Sequence, residues 1–371
     1  MKFTIERSTL LKSLGHVQSV VERRNTIPIL SNVKIDAENG KIGLSATDMD
    51  LEIIESVSAD VSEPGVTTAP AHTLYDIVRK LPDGSQIEFT ADGQGQLTLS
   101  AARSRFSLQC LPTDDFPVMS GGELPHNFTM TAAEIRALID RTRFAISTEE
   151  TRYYLNGIYL HPAERDGVAV LRAVATDGHR LASVEAPVPE GAGQMPGVII
   201  PRKTVAELRK LIDETGDAIT VSLSESKIRF GFDDAVMTSK LIDGTFPDYE
   251  RVIPVGNDNV LEVECKQFAA AVDRVSAISS EKSRAVKMAL NGGIMTLSAS
   301  SPDSGSAEEE IETSYAGDSL EIGFNSAYLL DIARQIEGDN AQLLLADAAS
   351  PTIVREVDDA SAIYVLMPMR V

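Results

Sequence analysis

The sequence predicts an α+β protein made of three similar domains, each with two helices packed on antiparallel sheet. Three observations predict it: one strand-and-helix segment recurs three times, a second helical segment recurs at nearly the same spacing, and alternating strands with turn residues fill the intervals. At 371 residues the chain also exceeds what one ordinary hydrophobic core supports, and an apolar fraction of 43% allows several real cores.

The first recurring segment is a short strand, a polar cap and an amphipathic helix. It reads FTIERSTLLKSLGHVQSVV from Phe3, FTMTAAEIRALIDRTRFAIS from Phe128 and LEVECKQFAAAVDRVSAISS from Leu261, starts that lie 125 and 133 residues apart. The second follows a proline or an asparagine: PAHTLYDIVRKLPDG at Pro70, PRKTVAELRKLIDETGD at Pro201 and NSAYLLDIARQIEGDN at Asn325, spaced by 131 and 124. Each places aliphatic residues at helical spacing, as in Leu74, Ile77, Val78 and Leu81, and then meets Gly, Asp or Pro, which stop a helix. The six helices are expected at 8–20, 71–81, 131–146, 203–213, 265–279 and 326–336. Strands are expected in stretches such as Lys41 to Glu55, Gln86 to Ala101 and Val170 to Glu185, about six to eight per repeat. The breaker-rich runs Ser120 to Asn127 and Pro254 to Asn259 set domain limits of 1–124, 125–256 and 257–371.

A formal charge of −21 predicts a protein that repels nucleic acid and membranes. Its distribution is uneven. The six helical segments hold 12 Lys or Arg against 7 Asp or Glu, a net of +5, which leaves −26 for the remainder. If the helices faced one way, Lys12, Arg79, Lys80, Arg136, Arg141, Arg143, Arg209, Lys210, Arg274 and Arg334 would form one surface attractive to phosphate; ordinary solvated helix faces are the alternative. With no Trp and 5% aromatics, base stacking on single strands is not indicated.

The charged N-terminal stretch lacks a signal-peptide core, and no run of 18 apolar residues follows, so a cytoplasmic protein with no membrane partner is expected. Cys110 and Cys265 stand far apart outside any C-x-x-C pattern and are expected to be buried or half-buried thiols. No nucleotide-binding, zinc-protease or nucleophile-elbow motif occurs, and His16, His72, His126, His161 and His179 lack metal-ligand spacing. No metal, cofactor or catalytic residue is therefore assigned.

One stretch invites a catalytic reading. VATDGHRLASVE (Val174 to Glu185) places Asp177, Gly178, His179 and Arg180 between two strands. A hydrolase using Asp177 and His179 with a nearby nucleophile is one possibility. The first repeat carries Thr47-Asp48-Met49-Asp50 at the matching place, so Thr-Asp reads as a turn device in which Asp caps backbone N–H groups. His179 and Arg180 are then the second repeat's own additions, and their pattern favours a binding site over a triad.

These residues together resemble the sliding clamp, or beta subunit, of bacterial DNA polymerase III. The resemblance covers essentially the whole chain: MKFTIER at the start, TIPILSNV (Thr26 to Val33), RSRFSL (Arg103 to Leu108), RYYLNG (Arg152 to Gly157), ATDGHRLA (Ala175 to Ala182), PRK (Pro201 to Lys203), TSKLIDGTFPDYERVIP (Thr238 to Pro254), EIGFN (Glu321 to Asn325) and YVLMPMRV (Tyr364 to Val371). It implies a non-enzymatic, head-to-tail homodimer, a six-domain ring around duplex DNA whose helices line the hole. Polymerase, the clamp loader and other proteins would attach through short peptides, and loading would need a separate ATP-dependent machine.

The resemblance implies DNA contacts at Arg24, Arg152, Tyr153 and Tyr154, with Lys12, Arg79, Lys80, Arg136, Arg141, Arg202, Lys203, Arg209 and Lys210 around the duplex. Glu149 stands where the family often has glutamine, and a carboxylate there would repel phosphate. A peptide pocket is implied at Leu155, Thr176, Gly178, His179, Arg180, Leu181, Pro247, Arg251, Val252, Asn325, Tyr328, Val365, Met367, Pro368, Met369 and Arg370, where adaptable methionines suit varied apolar ligands and His179 and Arg180 would hydrogen-bond the peptide. Val371 replaces the family's final leucine. The implied dimer interface joins Arg103, Arg105, Phe106 and Leu108 of one chain to Ile278, Glu308, Glu309 and Glu310 of another.

Overall fold

The computed structural model describes residues 1–119, 121–213, 218–279 and 284–370. Ser120 in the first expected boundary, residues 214–217 at the end of the fourth helical segment, Ser280 at the end of the fifth and the terminal Val371 lie outside the described residues. The chain forms two compact units: Met1–Ile135 with Pro189–Pro196 and Lys203–Leu241, and Arg136–Val188 with Gly197–Arg202 and Ile242–Val371.

Elements follow the three repeats. The first carries β1 (Lys2–Glu6), α1 (Arg7–Gln18), β2 (Asn32–Glu38), β3 (Lys41–Thr47), β4 (Leu51–Ser58), β5 (Asp60–Glu63), β6 (Gly65–Pro70), α2 (Ala71–Lys80), β7 (Gln86–Ala91), β8 (Gln96–Ala101) and β9 (Ser104–Gln109). The second carries β10 (His126–Thr131), α3 (Ala132–Asp140), β11 (Gly157–Arg165), β12 (Val168–Thr176), β13 (Arg180–Pro187), β14 (Val198–Pro201), α4 (Arg202–Ile212), β15 (Ala218–Leu223), β16 (Lys227–Gly231) and β17 (Ala235–Lys240). The third carries β18 (Asn259–Glu264), α5 (Cys265–Ser276), β19 (Ala285–Asn291), β20 (Ile294–Ser301), β21 (Gly305–Glu312), β22 (Ser314–Tyr315), β23 (Leu320–Asn325), α6 (Ser326–Ala333), β24 (Asn340–Leu345), β25 (Thr352–Glu356) and β26 (Ala362–Leu366). All six predicted helices are present. The repeats hold nine, eight and nine strands among the described residues, so the second falls within the expected range and the first and third exceed it by one.

The polar caps are visible in each repeat. The Glu6 carboxylate accepts from the Thr9 N–H at the start of α1, and hydrogen bonds from Ser8 and Thr9 hold that carboxyl down to about 2. Thr131 and Glu134 bond each other's backbone N–H, a capping box for α3, while Glu264 and Asn325 cap α5 and α6. Behind the cap, α1 buries Leu10, Leu14 and Val17 at helical spacing, and β1 buries Phe3 and Ile5 at strand spacing, with Phe3 stacked 4.7 Å from Phe89.

All six helices end short of their predicted limits, α3 by the most. The segment expected at 131–146 leaves the α-helix at Asp140, because the Thr142 hydroxyl bonds back to the Leu138 carbonyl and the chain tightens into a 310 turn at Arg143–Ala145. Arg141 and Arg143 therefore lie beyond the helix they were assigned to.

Among the described residues the strands form four antiparallel sheets, two per unit. In the first unit, β5-β1-β7-β8-β9 make one sheet and β10-β15-β16-β17-β4-β3-β2-β6 another. The second unit holds β14-β11-β12-β13-β26-β25-β24-β18-β22 and β21-β20-β19-β23. The eight-stranded sheet is a fusion of four strands from repeat one with four from repeat two, joined where β17 pairs β4 from Ala235↔Glu55 to Ser239↔Leu51. The nine-stranded sheet is the same fusion of repeats two and three, joined where β13 pairs β26 from Arg180↔Leu366 to Val184↔Ala362. β9 and β21 end their sheets as edge strands.

Gly157 opens β11 opposite Pro201 and Ile200, and a Cβ there would sit 2.2 Å from the Ile200 carbonyl oxygen. Since backbone cannot swing aside as a side-chain end can, Gly157→Ala is expected to cost about 1–3 kcal/mol of stability. Urea unfolding of the full chain checks it, and an unchanged midpoint would contradict this packing.

Candidate binding site

The Thr-Asp turn does what its repetition implies. Asp48 Oδ1 accepts from the Asp50 and Leu51 N–H at 2.9 and 2.7 Å, and Asp177 Oδ1 accepts from His179 and Arg180 at 2.9 and 3.1 Å. The Thr47 and Thr176 hydroxyls each accept from the residue two further on, Met49 and Gly178, both at positive φ, 78° and 88°. Asp177 is thus spent on holding a turn, and its second oxygen takes the Arg180 Nε–H at 3.1 Å. The imidazole of His179 is exposed and lies 6.4 Å from the Tyr328 ring rather than being oriented by Asp177.

This turn forms one wall of an apolar cavity of about 310 Å3 in the second unit. Leu155, Thr176, Gly178, Arg180, Leu181, Pro247, Val252, Val365 and Met367 line it, as named from the sequence. Its floor is a buried cluster of Leu155, Val174, Leu181, Ile199, Phe246, Tyr249 and Val365. Met367 is tied to the turn by its N–H, which donates to the His179 carbonyl at 2.9 Å, and its side chain stays 41% exposed at the mouth. Four further lining residues are Arg152, Tyr154, Asp248 and Tyr249. Sequence reasoning gave the first two to DNA and passed over the others, although Phe246 and Tyr249 stand three apart in a quoted motif, the spacing of one helical face.

The remaining pocket candidates sit outside the lining. Arg251 is largely exposed and pairs with Asp248 at 2.6 Å, Asn325 caps α6, and the Met369 N–H donates to the Gly323 carbonyl at 2.7 Å. Pro368 and Met369 are half-buried and Arg370 is exposed.

Arg180 differs from its expected role. Its guanidinium donates to Asp177, to Asp331 at 2.6 Å and to the Phe144 carbonyl at 2.7 Å, and it lies 4.3 Å from the Tyr328 ring centroid and 5.1 Å from that of Phe144. With its side chain 11% exposed, it ties β13 to α6 and to the Arg143–Ala145 turn; the exposed polar group at the rim is His179.

The segment Glu149–Leu155 faces two ways. Tyr153 is 54% exposed, while Tyr154 packs on the pocket floor and Leu155 is buried. Arg152 pairs with Glu149 and lies over Gly178, where its Nη1 is 2.6 Å from the place a Cβ would take. The Thr151 hydroxyl and Arg152 hold the Glu149 carboxyl below the usual range. Tyr154 is therefore a pocket residue by position, and Arg152 is shared between rim and surface.

Most helix cations carry an acidic neighbour. Arg79 meets Asp76 at 2.9 Å, Arg143 meets Asp140 at 3.2 Å, Lys210 meets Glu207 at 2.8 Å, Arg334 meets Asp331 at 3.1 Å, and Arg209 pairs with Asp213. Arg141 turns inward to Asp359, Ser361 and the Tyr364 hydroxyl, and Lys203 is held by Asp48 and the Val20 carbonyl. Both leave the set of outward-facing cations. Arg24, Lys12, Arg79, Lys80, Arg202 and Lys210 are exposed, and Arg136 and Arg209 are half-buried.

On β9, Arg105 is exposed while Phe106 and Leu108 turn inward. On β21, Glu308 and Glu310 are exposed, but Glu309 points the other way and pairs with Arg274 at the end of α5, so the acidic run splits by strand alternation. Ile278 is half-buried just beyond that helix, and Arg103 is exposed before β9. Both cysteines are free thiols, Cys265 buried and Cys110 partly so. No helix of the described residues is long and apolar enough to cross a membrane.

Because Arg180 combines a planar fork with two stacked rings, lysine cannot replace it. R180K is expected to lose at least two charge-assisted hydrogen bonds and about 2 kcal/mol of stability. Denaturant unfolding that matches the unaltered chain would contradict this role.

Family models for the N-terminal, central and C-terminal domains of the DNA polymerase III beta subunit match residues 1–120, 129–248 and 250–370. The chain is 55% identical to a beta sliding clamp of Caulobacter vibrioides and 38% identical to that of Escherichia coli, in each case over the full length of both chains. Among solved structures, a sliding clamp of Bartonella birtlesii bound to griselimycin matches with a TM-score of 0.97 at 53% identity, covering all of both chains. A beta sliding clamp of Caulobacter crescentus matches with a TM-score of 0.97 at 55% identity, covering 100% of this chain and 99% of that one. With its three domain models matched in order and full-length relatives this similar, the chain belongs to the family of the DNA polymerase III beta subunit, the bacterial sliding clamps.

Proposed function

We propose that this chain is a non-enzymatic processivity clamp: as a head-to-tail homodimer it encircles duplex DNA, and it tethers the replicative polymerase, the clamp loader and other partners in the bacterial cytoplasm by short peptides held in the apolar pocket. The observation that carries the ring is the pairing of edge strands between repeats. Each repeat brings two sheets whose outer strands correspond by position: β4, β13 and β21 in one set, β17, β26 and β9 in the other. Two seams are made within the chain, β4 with β17 and β13 with β26. The third pair, β21 with β9, completes the pattern if β9 comes from a second copy. Arg103 and Arg105 on one edge and Glu308 and Glu310 on the other supply complementary charge, and an exposed edge left unpaired would be an aggregation hazard. The three repeats correspond to domains 1–124, 125–256 and 257–371.

A ring holds DNA by topology, so its attraction to phosphate is best kept weak. Exposed Arg24 and Tyr153, half-buried Arg152 and the helix cations Lys12, Arg79, Lys80, Arg136, Arg202, Arg209 and Lys210 serve as that lining. Several share their charge with a neighbouring carboxylate, which softens each contact and favours sliding.

Two outcomes test this reading. Protein loaded by a clamp loader onto nicked circular DNA is expected to stay bound through gel filtration and to run off once the circle is cut; equal retention on both forms would argue against topological binding. Arg103→Glu with Arg105→Glu is expected to shift the dimer toward monomer by at least ten-fold in dissociation constant, read by analytical ultracentrifugation, and an unchanged mass at low concentration would remove the proposed interface.

A further inference from the structure

Tyr249 forms part of the pocket wall and is 5% exposed, yet its hydroxyl reaches past the pocket into a polar network on the same face of the sheet, where His161, Arg172 and Glu185 alternate in step with Tyr159, Val174 and Leu181. Arg172 on β12 donates from Nη1 to that hydroxyl at 2.9 Å, and His161 on β11 holds Nε2 2.9 Å from it. The other imidazole nitrogen, Nδ1, lies 2.9 Å from the Pro162 carbonyl, an acceptor only, so Nδ1 carries a hydrogen. In the neutral ring Nε2 is then an acceptor and takes the Tyr249 O–H. Every donor in this chain has an acceptor: Arg172 to Tyr249, Tyr249 to His161, His161 to Pro162.

Arg172 is fixed in turn by Glu185 on β13 at 2.8 Å and by Glu250 beside Tyr249 at 2.7 Å, and Arg165 reaches Glu185 at 3.0 Å. Stacking completes the frame. Tyr159 lies 4.9 Å from Phe246 and 4.6 Å from His161, and so joins the pocket floor to the network. We propose that His161 and Arg172 are positioning residues for Tyr249, and that through it they make peptide affinity at the pocket fall as the solution is acidified. This rests on the peptide-binding reading above.

Protonation acts through geometry. A second N–H on His161 would face the Tyr249 hydroxyl as a donor, where Arg172 already donates, and the Tyr249 hydrogen would lose its acceptor. The titratable and charged groups around His161 are Arg172 on the adjoining β12, Glu185 beyond it on β13, Glu250 on the turn and the neutral Tyr159 and Tyr249 hydroxyls. Burial, with help from Arg172, pushes the His161 pKa below its ordinary 6.5, against a smaller opposite pull from the Pro162 carbonyl and Glu250. The folded state therefore favours the neutral ring: the network is intact above pH 6.5 and is lost as pH falls through the lowered value.

The test is fluorescence anisotropy on the full chain, with a fluorescein-labelled decapeptide ending in two large apolar residues, from pH 8 to pH 5. Affinity is expected to fall about five-fold, the loss of one hydrogen bond's net worth. The fall should vanish in H161Q and in Y249F and persist in H179Q, with thermal melting at pH 5 confirming that each is folded. The same slope in H161Q and the unaltered chain, or no slope in the unaltered chain, overturns the proposal while leaving the pocket reading intact. No binding at any pH would instead remove the peptide reading on which this inference stands.

Discussion

A strand edge must pair its backbone N–H and C=O groups or leave them to water, and much of this architecture follows from that constraint. The repeats are not beads with separate cores. Each donates half of a sheet that its neighbour completes, so the eight- and nine-stranded sheets run across repeat boundaries and the compact units cut through the second repeat. A chain of three such repeats necessarily ends with one unmatched edge of each kind. In this molecule those edges are β9 and β21, with basic side chains at the first and acidic ones at the second.

The pocket depends on the same seams. β13 and β26 pair across repeats two and three, and their ends deliver Arg180, Leu181, Val365 and Met367 to one place. Arg180 then fastens the turn to α6 through Asp331 and Tyr328. The apolar floor is therefore held in place by a wall residue whose polar contacts point away to α6, and the rim is left to His179, Met367 and Arg152. This division suits a surface that must accept varied apolar side chains without losing its shape.

The repeat and the helix positions were legible in the sequence because helical spacing and cap residues are local signals, as Leu10, Leu14 and Val17 behind Glu6 illustrate. The Thr-Asp turn was legible for a different reason: two copies at matching places separated the shared device from the second repeat's His179 and Arg180. The partners of long side chains were not legible. Arg141 and Lys203 read as cations facing DNA and Arg180 as a peptide contact, but acceptors of the three lie 220, 155 and 151 residues away in Ser361, Asp48 and Asp331, which no spacing rule reaches. The split of Glu308 to Glu310 needed only strand alternation, once β21 was known to be a strand. Tyr249 was missed because its ring serves the pocket while its hydroxyl serves His161 and Arg172, a double role written in three dimensions only.

The central claim is that a second copy supplies the missing strand partner. Amide hydrogen exchange, followed by mass spectrometry over a dilution series from micromolar to nanomolar chain, tests it most directly. Peptides covering Arg105–Leu108 and Glu308–Glu310 are expected to lose protection together as the protein is diluted, while those covering the β4–β17 and β13–β26 seams keep theirs. Protection in β9 and β21 that is independent of concentration, or absent even at micromolar chain, would contradict the account.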